Sequence, residues 1–136
     1  MVYSLGMTFS RWRALLVGLL IWGAGTIAIR IIGQQLLRPK DTPRILWLYF
    51  ASFFAMMLVV RLICRWLALE RTSWMGAAGL LVLPTLILDS FTCVFFADMF
   101  PNIDPSAAGI FGGWMLICCG GGIAGALAGR ADSEAD

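Results

Sequence analysis

Histidine is missing altogether from the 136 residues, which removes the commonest metal ligand and the commonest general base near neutral pH. Charge is scarce as well. Only 13% of residues are charged, where a soluble domain carries about 25%. The net charge of +2 is too small to indicate a nucleic-acid partner. There are four cysteines, Cys64, Cys93, Cys118 and Cys119, all in apolar stretches and none in a CxxC spacing. That pattern indicates neither a zinc site nor a disulfide framework. Neighbouring Cys118 and Cys119 point to different sides of a helix, so all four read as reduced thiols acting as small apolar side chains. No metal and no cofactor is expected. An enzyme is not expected either, because there is no nucleophile paired with a base and no segment long enough for a soluble domain.

What the chain has in abundance is apolar surface. A, V, I, L, M, F, W, Y and C make up 60% before the 15 glycines are counted. A soluble chain sits near 45–50% with glycine included, so a soluble single domain is excluded, and disorder more firmly. A bilayer is the natural solvent. Charges divide the sequence into four apolar runs, which give helices over about 14–33, 45–66, 74–97 and 107–128. A spanning helix needs roughly 17–25 residues. The first two runs reach that length only if Arg13, Arg30, Arg44 and Arg61 extend their side chains toward the headgroups. The expected fold is all-α: a polytopic membrane protein, four transmembrane helices in a compact bundle, one membrane domain over 1–136 with short polar tails at 1–13 and 129–136.

The joins are short. Arg38-Pro39-Lys40-Asp41-Thr42-Pro43 is a polar turn with two prolines, and Glu70-Arg71-Thr72-Ser73 is tighter. In the third join, Asp104 or Ser106 is placed to cap the fourth helix. The first run has basic residues before it, but it exceeds an ordinary signal-peptide core and no A-x-A site follows, so it reads as a retained span. Met7 is an alternative start to Met1. Four spans put both termini on one side. Arg11, Arg13, Arg65, Arg71 and Arg130 fall there, against Arg38, Lys40 and Arg44 opposite. The asymmetry favours a multi-pass protein of the plasma (inner) membrane with cytoplasmic termini. Trp12, Trp66 and Trp74 would form the inner aromatic belt, with Trp47 and Phe100 at the outer one.

Asp89 breaks the apolar rule most sharply. It lies 15 positions past Trp74, about 22 Å along the third helix. A carboxylate at that depth costs roughly 2.5–3.5 kcal/mol even on insertion scales, so it should be protonated, paired or facing water. Arg30, 16 positions past Ala14 and thus about 24 Å into a helix of the same direction, is a candidate partner. An Arg30–Asp89 pair would lock two helices together or mark an ion or proton pathway. The simpler reading has Arg30 reaching outward. Pro84, five residues before Asp89, removes one backbone hydrogen bond there. Asp98, Asn102 and Asp104 cluster in the external join, either as a solvated, capped loop or as a cation-attracting vestibule. Arg61 and Arg65 share a helix face and read as headgroup ligands, with Glu70 and Arg71 on the same rim.

The fourth helix is small-faced. Gly109 and Gly113 form one small-xxx-small pair, and Gly121, Gly125 and Gly129 a second run. Such faces let helix backbones approach closely. They pack either against the other three helices, or against a second copy or another membrane protein.

Two blocks of residues resemble a known family. One contains Leu83-Pro84, Leu88-Asp89, Phe91, Val94-Phe95-Phe96, Phe100-Pro101-Asn102, Pro105, Ala108, Phe111-Gly112 and Trp114; the other contains Ile21-Trp22, Gly25-Thr26, Arg30 and Gly33-Gln34. Together, from about Leu15 to Trp114, they resemble a family of small bacterial four-helix integral membrane proteins of unknown function. The resemblance implies the fold and the membrane, with Arg30 and Asp89 in the family pattern, and implies no activity. After Trp114, Cys118-Cys119-Gly120-Gly121-Gly122 departs from it. Small multidrug exporters carry a glutamate in their first helix, and the first span here has no acid.

Two functions follow as expectations. The first is a small transport or permeation protein using Asp89 with Arg30. One four-helix monomer is thin for enclosing a pathway, so a homo-oligomer is expected. The second is a non-catalytic accessory or scaffold subunit of a membrane complex, docking through the glycines of the fourth helix. Besides these partners, the chain contacts the lipid bilayer.

Overall fold

The computed structural model describes residues 2–134, with side chains over 11–132. Met1 and residues 135–136, at the ends of the two expected tails, lie outside the described residues. Four long helices make the molecule: α1 (Val2–Leu36), α2 (Thr42–Trp66), α3 (Trp74–Val94) and, after a single-turn helix α4 (Phe96–Met99), α5 (Ala108–Glu134). Short 3₁₀ turns at Arg71–Ser73 and Pro105–Ala107 lead into α3 and α5. Four segments within these helices are long and apolar enough to cross a membrane.

Local chemistry explains the boundaries. α2 begins three residues before the expected Ile45 because Asp41 accepts the Arg44 N–H and Pro43 sits in the first turn. It ends in a Schellman arrangement. Ala68 takes a left-handed φ of 51°, and the Leu69 N–H returns to the Cys64 carbonyl. α3 stops at Val94, short of the expected Ala97, because Phe95 leaves helical dihedrals. α4 then turns Phe96 and Phe100 inward, where they pack with Phe111 at ring separations of 5.2–5.6 Å. The expected tails are largely helical: α1 starts at Val2, and α5 continues to Glu134. The α5 extension is held by an Arg61–Asp132 ion pair at 2.6 Å. Arg71 also donates to the Gly129 carbonyl at 3.0 Å.

The helices form a bundle in the packing order α1, α3, α5, α2. α1 lies on α3, α3 on α5 and α5 on α2, while α1 and α2 barely touch. Two close approaches set the register. A Cβ on Gly18 would strike the Leu81 backbone carbonyl, and Cβ atoms on Gly121 and Gly125 would strike the carbonyls of Phe53 and Met57. Backbones at such distances exchange extensive dispersion contacts. The outward faces remain apolar: Leu20, Ile31, Trp47, Phe50, Val94 and Leu116 are all exposed. In water this surface would be untenable, and in hydrocarbon it is neutral.

Two aromatic-belt expectations are corrected. Trp74 is buried, donating to the Leu69 carbonyl at 3.1 Å, and Phe100 is fully enclosed. Trp12, Trp47 and Trp66 are exposed.

Candidate functional site

A cavity of about 250 Å³ lies among the four long helices, walled by residues of α1, α2, α3 and α5. Because α1 and α2 scarcely touch, they stand as its two sides, with α3 and α5 behind. The lining is overwhelmingly apolar, including Ile29, Met56, Val60 and Phe111 and the indoles of Trp22 and Trp114. Asp89 is the one charged residue in the wall.

Asp89 is 6% exposed. Its Oδ1 accepts the Trp22 Nε1–H at 2.8 Å, across the α1–α3 interface. Its Oδ2 is buried with no hydrogen-bond partner. Three nearby side-chain donors are committed elsewhere. The Thr26 hydroxyl donates to the Trp22 carbonyl at 2.9 Å, Thr92 to Leu88 at 2.9 Å, and Trp114 Nε1 to the Ser52 hydroxyl at 2.7 Å. The result is a carboxylate with one oxygen held by a neutral donor and the other available.

Arg30 is not the partner of Asp89. Among the described residues Asp89 makes no ion pair, and Arg30 is exposed. Helix geometry gives the reason. The inward stripe of α1 runs Ala14, Gly18, Trp22, Gly25, Ile29, Gly33 at helical spacing, and Arg30 is one position, about 100°, beyond Ile29. The Gly18–Leu81 contact also places Arg30 level with Cys93, one turn or about 6 Å past Asp89. In the resemblance, Ile21-Trp22 belongs to one block and Leu88-Asp89 to the other. The missing information was the rotation of α1. An indole N–H is also a less conspicuous partner for a carboxylate than a guanidinium.

The join between α3 and α5 is a structural closure. Asn102 donates to the Arg30 carbonyl and to Gln34 Oε1, each at 2.9 Å, pinning the join to the end of α1. Ile103 is buried against Gly33. Asp104 accepts the Ser106 N–H at 2.9 Å and caps the turn into α5; that bond holds its carboxyl below the usual carboxylate range. Asp98 is exposed. Among the described residues no three His, Cys, Asp or Glu side chains converge to hold a metal ion.

The glycines of α5 mostly face inward. Gly113 abuts the Tyr49 ring, whose hydroxyl donates to the Ile110 carbonyl at 2.7 Å. Gly121 and Gly125 meet the α2 backbone, and Gly129 meets the Trp74 ring. Gly109 and Gly120 have open space around them. Most of this face is therefore internal, closed by α2 and, at Gly129, by Trp74 of α3. The Arg61–Arg65 face is also modified, since Arg61 pairs with Asp132, and Arg71 lies over the Trp74 ring at 5.6 Å.

A family of unknown function, DUF5367, matches residues 36–129. The match covers more than half of the chain. It reaches Gly129 and so includes the cysteine- and glycine-rich part of α5 that had read as a departure. The first block, Ile21 to Gln34, lies before the matched residues. No curated protein and no solved structure shows a significant match.

Proposed function

The chain belongs to the DUF5367 family of unknown function, and we propose that it is a small transport or permeation protein whose charge-bearing site is Asp89 in the central cavity. One observation carries this reading: a carboxylate 6% exposed keeps one oxygen without a partner, inside a cavity within the span region. A side chain held only for stability would have both oxygens bonded, because each unsatisfied buried polar atom costs about 1–3 kcal/mol. Intramembrane carboxylates occur mainly where an ion, proton or substrate passes. Arg30 has no part in this site. Its exposed position at the outer part of α1 suits a headgroup contact. The working unit is a homo-oligomer in the plasma membrane, because one four-helix monomer is thin for enclosing a pathway, and the asymmetry of basic residues favours cytoplasmic termini.

The test is flux in sealed proteoliposomes. Wild-type protein should carry a proton or monovalent-cation current under an imposed potential, reported by an internal pH dye and by ion-selective quenching. Asp89→Asn should abolish it while thermal stability in detergent is retained. Equal flux through both proteins would overturn the reading.

A further inference from the structure

We propose that the Asp89 cavity is a binding site for a small apolar molecule carrying a protonated amine, with Asp89 Oδ2 receiving the ammonium. The proposal deepens the functional reading above and rests on the same cavity.

Three observations specify the ligand. The first is size. A cavity near 150 Å³ holds benzene, so about 250 Å³ accommodates roughly ten non-hydrogen atoms. The second is the wall, which is apolar and aromatic apart from Asp89 and a few small polar groups; it selects a hydrocarbon body. The third is the anchor. Both indole N–H groups in the wall are committed, Trp22 to Asp89 and Trp114 to Ser52, so they are not free to hold a ligand acceptor. Oδ2 is the buried polar atom left without a partner, an acceptor on an acid with no ion-pair partner among the described residues; the Thr85 hydroxyl, also in the wall, carries no charge.

A neutral alcohol or amide would satisfy the acceptor and leave the charge. Protonation would remove the charge and leave a hydroxyl to be satisfied. An ammonium does both at once, through a charge-assisted hydrogen bond in a low-dielectric site. Phe111 and Trp114 line the same cavity, and aromatic walls of this kind suit a cationic group. Trp22 acts as a positioning residue, because its N–H occupies Oδ1 and leaves Oδ2 as the free face.

The experiment is equilibrium binding of radiolabelled 2-phenylethylamine, and of its neutral counterpart 2-phenylethanol, to the full chain in lipid nanodiscs, with empty nanodiscs subtracted. Saturable amine binding is expected, at least about tenfold tighter than alcohol binding, consistent with one charged hydrogen bond. Asp89→Asn should abolish that preference. Trp22→Phe should keep saturable amine binding with altered affinity. Equal binding of amine and alcohol to wild-type protein, absence of saturable amine binding, or an unchanged amine preference in Asp89→Asn would each overturn the proposal. The wild-type comparison stands even if Asp89→Asn fails to fold. Amine binding without vesicle flux would sustain this proposal and sink the transport reading. Asp89-dependent flux without amine binding would do the reverse.

Discussion

Trp22 and Asp89 are 67 positions apart in sequence, yet the indole Nε1–H of one meets Oδ1 of the other at 2.8 Å. This bond joins α1 to α3 at the level of the cavity and uses only half of the carboxylate.

A double-mutant cycle on this pair measures its worth. Trp22→Phe and Asp89→Asn, alone and combined, should show a coupling of about 1 kcal/mol or more in thermal stability in detergent. The same cycle with Arg30→Ala in place of Trp22→Phe should show coupling within about 0.5 kcal/mol of zero, as for residues without a shared partner. Strong Arg30–Asp89 coupling would contradict the exposed position of Arg30.

At the α2–α5 seam, glycine is required by backbone proximity. Gly121→Ala places a methyl group against the Phe53 carbonyl, and neither backbone can yield cheaply. Overpacking of this kind costs about 1–3 kcal/mol. Gly109→Ala, in open space, should stay within about 0.5 kcal/mol of wild type. Equal tolerance at both positions, read by melting temperature, would show that the helices are farther apart than described.

The end of α2 contains a residue that is not the best for its conformation. Ala68 holds φ at 51°, where a Cβ is crowded and glycine is not. Ala68→Gly should therefore stabilise the protein by about 0.5–1 kcal/mol, visible as a raised unfolding midpoint. A loss of stability would mean that the left-handed turn is not populated.

Asp104 lies outside the spans, and the Ser106 N–H holds its carboxyl below the ordinary value. For a lowered carboxyl the sign is definite. Its stabilising bond is fully present above the unfolded-state value and is lost as pH falls through the folded-state value. Wild type should be more stable than Asp104→Ala at neutral pH, and the gap should close on acidification below the usual carboxylate range. A gap that widened in acid would refute the cap.

The sequence by itself determined the solvent, the number of spans and the identity of the anomalous residue. With 60% apolar residues and four long uncharged runs, only a bilayer could accommodate the chain. Asp89 stood out because a carboxylate in such a run has an intrinsic cost, whatever surrounds it. The turn before α2 was legible from its two prolines, but the helix start was not, because the Asp41 cap lies inside that polar turn and brings Thr42 to Arg44 into the helix. Tertiary structure alone decided which faces meet. Arg30 and Asp89 lie at similar depths, but depth counts residues along an axis and says nothing about rotation around it. The close approach of Gly18 to Leu81 fixed that rotation, turning Trp22 inward and Arg30 outward. The glycines of α5 were equally ambiguous, since a face that admits another protein also admits a neighbouring helix. α2 filled it because a covalently linked helix is always at hand, so closing the seam costs none of the translational and rotational freedom that a separate partner must give up.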